Sequence, residues 1–245
     1  MDYDARNKQK KNADANIKPF QNKWPENLAI KLKWAKMPVF TEKSTVETYI
    51  LKGLKGKGWQ HLPGGELNRE DYSEPLLLRQ LFQAVRRLNP NLELSEEDIN
   101  RVISELHALP ASFEGSRRFL RYLKDGLPLK LERTKELRYV KILDQENPEK
   151  NEFLISDQVW FESSRGRIRP DLVLYVNGIP LVLIECKNPA EPGVNWRAAH
   201  QQIKRYEETV PELFKYVQFS IAAELQAVYF PNVPGGEGPC YVWKV

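Results

Sequence analysis

The sequence lacks several features that would place it in a specialised class of protein. It has only two cysteines among 245 residues, which excludes a disulfide scaffold and suits a reducing compartment. It contains no apolar run of about eighteen residues, so no transmembrane helix is predicted. Residues 1–11 are polar and basic and lack the apolar core of a signal peptide. These absences predict a cytoplasmic protein with no membrane partner.

A strong charge of one sign and a nucleotide-binding loop are also missing. The formal net charge of +4 is ordinary for this length, so it is compatible with nucleic acid without indicating it. Residues 53–65 are rich in glycine and lysine, but their spacing is not that of a phosphate-binding loop. With 41% hydrophobic residues, the chain is long enough for one domain with a real core.

The most informative segment is residues 167–187, in which Asn177–Gly178 separates two apolar runs. The runs predict two β-strands, and Asn-Gly predicts a hairpin turn between them. The hairpin brings Asp171 close to Glu185 and Lys187 at its open end. Burying two carboxylates and a lysine costs desolvation free energy, which favours a metal site or a catalytic site. An ordinary hairpin whose end charges reach solvent is the alternative.

The turn of this hairpin decides whether the two carboxylates share a face of the sheet. A regular two-residue turn pairs Val176 with Ile179, which puts Asp171 and Glu185 on opposite faces. A three-residue loop or one β-bulge changes the parity and puts both carboxylates on one face. We therefore predict an odd-length turn or a bulge.

Two segments carry a specific resemblance to a known family, RPDLVLYVNGIPLVLIECKNP and HQQIKRYEETVPELFKY. The first has Pro-Asp, thirteen residues and then Glu-x-Lys, an arrangement that resembles the PD-(D/E)xK nuclease superfamily. The second contains Gln-x-x-x-Tyr at Gln202 and Tyr206. Together they resemble the amino-terminal nuclease domain of the restriction (motor) subunit of type I restriction-modification enzymes. The resemblance is strongest over residues 151–217.

The resemblance implies an α/β fold with a restriction-endonuclease-like core, in which helices flank a mixed central β-sheet. It implies a nuclease domain over residues 41–245, after a basic amino-terminal extension over residues 1–40. Helicase-like motor domains are absent, so the chain is predicted to be a fragment, and any use of ATP belongs to those missing domains. The implied partners are double-stranded DNA and the modification and specificity subunits of the restriction complex.

The resemblance also implies a catalytic set. Asp171 and Glu185, with the backbone carbonyl of Cys186, are expected to hold Mg²⁺ through oxygen ligands. Lys187 is expected to stabilise charge on the phosphate or on the attacking water. In the resembled family an early helix adds a further acid, for which Glu47 is the candidate and Glu42 the fallback; a solvated helix charge is the alternative.

Four more residues are predicted to bind or orient DNA: Gln202, Tyr206, Arg167 and Arg169. Gln202 and Tyr206 are neighbours on one helix face, where they can hydrogen-bond the DNA backbone or orient the lysine and the metal-bound water. For this pair the alternative is a surface glutamine and a core tyrosine. Arg167 and Arg169 precede Asp171 and suit DNA phosphates, with a solvated strand end as the alternative.

Hydrophobic spacing and capping residues predict the remaining elements. The predicted helices cover residues 41–54, 74–88 (capped by Ser73), 96–106 (capped by Ser95), 116–124 and 195–209. The predicted strands lie near residues 129–131, 138–143, 151–160, 216–222 and 226–230.

The sequence thus predicts a Mg²⁺-dependent DNA endonuclease domain of a type I restriction subunit, which hydrolyses phosphodiester bonds. Two alternatives stay open. One is a DNA-binding or assembly module that is catalytically idle. The other is a stand-alone PD-(D/E)xK repair nuclease.

Overall fold

The computed structural model describes residues 45–67, 69, 71–188, 190, 195–224, 226–232 and 239–242. The predicted extension over residues 1–40 and the fallback acid Glu42 lie outside these residues. None of the helices in the described ranges has the length and apolar character needed to cross a membrane.

A mixed seven-stranded β-sheet is the centre of the described domain. In spatial order its strands are β1 (Gln60–His61), β4 (Phe153–Asp157), β7 (Leu172–Val176), β8 (Ile179–Cys186), β9 (Phe219–Ala223), β10 (Ala227–Pro231) and β11 (Tyr241–Val242). The pairs β1–β4 and β8–β9 are parallel, and the other neighbours are antiparallel. Two hairpins stand apart from this sheet, β2 (Leu127–Lys130) with β3 (Leu137–Val140), and β5 (Phe161–Ser163) with β6 (Gly166–Ile168).

Helices flank the sheet, which confirms the predicted fold class. They are α1 (Thr45–Lys55), α2 (Leu78–Leu88), α3 (Glu96–His107), α4 (Phe113–Asp125), α5 (Trp196–Thr209) and α6 (Pro211–Phe214). One hydrophobic cluster joins α5 and α6 to the sheet, where Ala199 and Ile203 pack with Val173, Tyr175 and Leu183. A second cluster joins α2, α3 and α4 to the β2–β3 hairpin. The β7–β8 hairpin therefore has α5 over one face.

Capping residues explain where the helices begin. Ser95 starts α3 with a capping box, in which its hydroxyl accepts from the Asp98 N–H and the Asp98 carboxylate accepts from the Ser95 N–H, as the sequence predicts. The prediction of Ser73 as a helix cap is wrong. Its backbone N–H and hydroxyl donate to the Asp71 carboxylate, and α2 begins only at Leu78.

The predicted strand over residues 151–160 is shorter than expected. It ends at Asp157 because Gln158 adopts a left-handed conformation, with φ of 54°, that an extended strand excludes. The β5–β6 hairpin that follows was not predicted, since its strands have only three residues each. The β5–β6 hairpin ends at Ile168, three residues before Asp171.

The prediction of a bulge in the β7–β8 hairpin is confirmed. The turn has two residues, Asn177 and Gly178, both with positive φ, so Val176 pairs with Ile179. The register then shifts between Leu174 and Tyr175. The odd-length turn that the sequence allowed is not used, and one bulge changes the parity instead.

Candidate active site

The bulge places Asp171 and Glu185 opposite each other at the open end of the β7–β8 hairpin. Leu172 pairs with Ile184, so the next position on each strand brings the two acids together. Both acids have the strand parity of Val173 and Leu183, which face α5. The backbone N–H of Cys186 donates to Asp171 Oδ2 at 2.8 Å, which anchors the carboxylate to the neighbouring strand.

Glu185 is a buried acid whose hydrogen bonding is incomplete. Its side chain is only 3% exposed, and its Oε2 accepts no hydrogen bond of ordinary geometry from the described residues. Burial, and then the charge of Asp171, raise the pKa of Glu185 to about 7. Lys187 and the Tyr206 phenol act in the opposite direction without cancelling this rise. An incompletely bonded buried carboxylate is costly to the fold, and such groups cluster at functional sites.

Lys187 links the acids to α5. Its Nζ donates to Glu185 Oε1 at 3.1 Å and to Gln202 Oε1 at 2.6 Å. The Gln202 amide in turn donates to the Tyr206 hydroxyl, which points to the backbone carbonyl of Arg169 at 3.5 Å. Burial and the nearby Glu185 carboxylate raise the pKa of Tyr206, so the phenol is neutral and able to donate. The structure therefore brings Lys187, Gln202 and Tyr206 together with the acids.

Glu47 reaches the same end of β8 from another direction. Its charge is one of the causes that raise the pKa of the buried Cys186 thiol, after burial and Asp171. Because neighbouring strand residues alternate, Cys186 points to the opposite face from Glu185. Glu47 thus lies near enough to the end of β8 for its charge to act on the Cys186 thiol.

Arg167 and Arg169 lie on the β5–β6 hairpin and its exit, and both are exposed. The Arg167 guanidinium is paired with Glu162 at 2.6 Å. Arg169 meets the site through its backbone carbonyl, which faces Tyr206. Their guanidinium groups therefore lie at Glu162 and at the Trp160 ring.

Gln158 is a site residue that the sequence did not reveal. Its side-chain amide donates to Asp171 Oδ1 at 3.0 Å, and its backbone N–H donates to the Asp171 carbonyl at 2.9 Å. A non-glycine residue in the left-handed region carries strain, and such strain is typical of functional sites. No sequence pattern pointed to Gln158, because its contact with Asp171 depends on the end of β4 at Asp157.

The donor set at the strand ends fits a hard divalent cation. Asp171, Glu185 and the Cys186 carbonyl offer oxygen atoms, which Mg²⁺ prefers, and Glu185 Oε2 has no hydrogen-bond partner among the described residues. A cation there would offset both causes that raise the pKa of Glu185. Within the described ranges no group of three or more His, Cys, Asp or Glu side chains is arranged as a metal site, so the backbone carbonyl and water would complete the shell.

Comparisons with known proteins agree on one family. The family model described as "Type I restriction enzyme R protein N terminus" matches residues 39–238. The chain is similar to the type I restriction enzyme HindI endonuclease subunit of Haemophilus influenzae, with 30% identity over 73% of the chain and 18% of that protein. It is also similar to a Methanocaldococcus jannaschii protein with the provisional name of type I restriction enzyme MjaVIIIP endonuclease subunit, with 32% identity over 82% of the chain and 19% of that protein. The chain spans about a fifth of the length of these relatives.

Proposed function

Because the chain belongs to the family of type I restriction enzyme R protein N termini, we propose that it is a Mg²⁺-dependent nuclease domain that hydrolyses phosphodiester bonds of DNA. The observation that carries this proposal is the open end of the β7–β8 hairpin. There a buried acid with an unsatisfied oxygen lies opposite a second acid and is bonded to a lysine. Most buried polar atoms that serve only the fold have a hydrogen-bond partner.

Asp171, Glu185 and the Cys186 carbonyl would hold the cation. When bound, Mg²⁺ supplies charge neutralisation for the phosphate and lowers the pKa of a water molecule. The Cys186 N–H and the Gln158 amide hold the Asp171 carboxylate, so its oxygens keep one orientation. Preorganised ligands of this kind avoid a reorganisation cost at the moment of reaction.

Lys187 is proposed to stabilise the negative charge that builds on the phosphate oxygen or on the attacking water. Its ammonium lies between Glu185 and Gln202, which leaves one of its three donor positions for substrate. Tyr206 and Gln202 add a neutral phenol and amide, which fix the lysine without adding charge. The exposed Arg167 and Arg169 would bind phosphates beside the scissile one.

The setting of this activity is inferred from the relatives. They are named as endonuclease subunits of type I restriction enzymes, so we propose that the domain acts in the cytoplasm within a restriction complex. Modification and specificity subunits would be its partners there, and ATP would be used by motor domains elsewhere in a longer subunit.

A catalytically idle assembly module is the second candidate. It is favoured by the lack of a three-side-chain metal group within the described ranges, and by the pairing of Lys187 with Glu185. An idle module would still bind DNA, but its binding would not respond to Mg²⁺.

Cleavage by the full-length subunit, assembled with its partner subunits, tests the proposal. Asp171→Asn, Glu185→Gln and Lys187→Ala should each lower the rate by at least about 100-fold, because each removes a charge that the transition state uses. ATP hydrolysis should persist in all three, which shows that the subunit is folded and assembled. Glu152→Gln, near the other end of the same hairpin, is the matched control and should cleave normally. A fully active Lys187→Ala would refute the role given to Lys187.

A further inference from the structure

A row of three exposed arginines runs through the β5–β6 hairpin and its exit. In the segment Arg165-Gly166-Arg167-Ile168-Arg169 each second residue is an arginine, with Arg165 in the turn, Arg167 on β6 and Arg169 just after the strand. Ile168 and its partner Phe161 are buried, whereas all three arginines are exposed. The hairpin thus buries Phe161 and Ile168 and exposes three cationic side chains.

Two aromatic rings lie among these arginines. Trp160, just before β5, is 42% exposed, and the Arg169 guanidinium lies 5.1 Å from the centroid of its ring. Tyr72 is 45% exposed and lies beside the hairpin, because its carbonyl accepts from the Glu162 N–H at 3.0 Å. The Arg167 guanidinium lies 5.9 Å from the Tyr72 ring centroid. We call the set Tyr72, Trp160, Arg165, Arg167 and Arg169 the arginine–aromatic surface.

The charge of this surface is positive. Glu162 pairs with Arg167 at 2.6 Å, and the Asp71 carboxylate next to Tyr72 is bonded by Ser73. Hydrogen bonds from Ser73 keep Asp71 charged, so two carboxylates lie beside the three hairpin arginines and Arg69, which lies over the Tyr72 ring. Such a surface complements a polyanion.

The arginine–aromatic surface leads directly to the candidate active site. Arg169 is two residues before Asp171, and its carbonyl faces the Tyr206 hydroxyl. At the other end of the row, the Arg165 guanidinium donates to the Glu208 carbonyl of α5 at 3.0 Å. The hairpin is thus tied to the helix that carries Gln202 and Tyr206, so its position relative to the acids is fixed.

We propose that the arginine–aromatic surface binds a locally unpaired DNA strand next to the site of cleavage. Guanidinium groups bind phosphates of any DNA, but exposed ring faces add little to a duplex, whose bases are stacked on each other. Unpaired bases expose their faces, and stacking on an aromatic side chain strengthens binding irrespective of sequence. Trp160 and Tyr72 would each stack on an unpaired base, while Arg165, Arg167 and Arg169 hold the backbone. The proposal rests on the proposed nuclease function and names the form of DNA that the site receives.

A structural role of the rings makes a different prediction. Arginine–aromatic pairs also stabilise a protein surface without any ligand. In that case, removing a ring would lower the stability of the hairpin and leave the preference for unpaired DNA unchanged.

The experiment compares binding of a labelled single strand and of the matching duplex to the 245-residue chain, by fluorescence anisotropy in EDTA. The single strand should bind more tightly. Trp160→Leu and Tyr72→Leu should each weaken its binding by about 5- to 100-fold, with little change for the duplex. Trp160→Phe, which restores a ring, should recover most of the loss. Circular dichroism at the same temperature checks that each variant is folded.

A matched control comes from the other hairpin. Tyr139 on β3 is 59% exposed and stands next to Arg138, so it has the same residue types and exposure away from the acids. Tyr139→Leu should bind both DNA forms normally. Equal binding of single strand and duplex, no binding of either, or a Trp160→Leu variant that binds like wild type would each overturn the proposal.

Omitting metal separates this proposal from the nuclease function. Binding in EDTA does not depend on cleavage, so normal single-strand binding by an inactive Asp171→Asn variant supports both proposals. Single-strand binding through these rings, together with full cleavage by Asp171→Asn, would leave the surface in place and refute the catalytic assignment.

Discussion

The two ends of the β7–β8 hairpin both bury a polar side chain. The side chain at the turn end is fully hydrogen-bonded, whereas the one at the open end is not. At the turn end Asn177 is fully buried, and its side-chain oxygen accepts from the Glu152 N–H at 2.9 Å and from Arg87 at 3.2 Å. Its side-chain amide donates to the Ile142 carbonyl at 3.0 Å and to Asn151 at 2.8 Å. At the open end, Glu185 Oε2 has no such partner among the described residues.

This difference separates a group that builds the fold from a group that is available to a ligand. Every donor and acceptor of the Asn177 amide is used, so its burial costs little. Glu185 keeps an unsatisfied oxygen and a pKa raised to about 7, so the burial of its charged form carries a cost at that end. The same two strands therefore end in a structural network on one side and in a candidate catalytic site on the other.

Breaking the turn end should give the largest change in stability. Asn177→Ala leaves two donors and two acceptors without their partner and puts alanine at a φ of 53°, so the free energy of unfolding should fall by about 3 kcal/mol. Urea denaturation measures this change. Asn177→Gly removes the same hydrogen bonds but tolerates the positive φ, so it should lose somewhat less. A loss below about 1 kcal/mol for Asn177→Ala would show that the network is not structural.

Removing the charge of Glu185 at the open end should instead increase the stability of the protein. The folded-state pKa of Glu185 is raised from its ordinary value of 4.5 to about 7, so the stability that it contributes is complete below pH 4.5 and is lost as the pH rises through 7. Glu185→Gln carries no charge, so in EDTA at pH 8 it should be more stable than wild type by about 2 kcal/mol. The gain should vanish near pH 4.5.

The control for this measurement is Glu152→Gln, whose side chain is half-exposed near the turn end. It should show no comparable gain at pH 8. If Glu185→Gln were less stable than wild type at pH 8, Glu185 would be part of a favourable ion pair, and the contrast between the two ends would fail.

The smallest expected change in stability concerns Gln158. Gln158→Asn suits the left-handed backbone but its shorter amide does not reach Asp171, so lost bonding and relieved strain should nearly cancel, within about 1 kcal/mol. The affinity for Mn²⁺, measured by isothermal titration calorimetry, should fall about 10-fold, as for other residues that orient metal ligands. Unchanged affinity would mean that Gln158 does not position Asp171.

The sequence predicted the hairpin and its acids because apolar runs, Asn-Gly and Glu-x-Lys are local patterns. Placing both acids on one face required an odd-length turn or a bulge. The structure has the bulge, with Leu181 of β8 as the extra residue opposite Leu174 and Tyr175. The helix capped by Ser95 was equally local and is confirmed.

What the sequence did not reveal depends on distant contacts. Gln158 meets Asp171 only because β4 breaks at Asp157, and the break arises from one backbone angle. The β5–β6 hairpin has strands too short for a periodic signal. Ser73 was a plausible cap, but the neighbouring Asp71 competes for its N–H and hydroxyl. The hydrogen-bond network around Asn177 joins residues up to 90 positions apart. The Asn-Gly pair therefore predicted the turn but not the role of Asn177 in this network.

The most direct test of the account is anomalous diffraction from crystals of the chain soaked in Mn²⁺, with Glu185→Ala crystals soaked alongside. The account predicts an anomalous peak between Asp171 and Glu185 in the wild type, with no peak in the variant. An empty wild-type site, with both carboxylates placed as they are here, would contradict the claim that the open end of the hairpin is a metal-dependent active site.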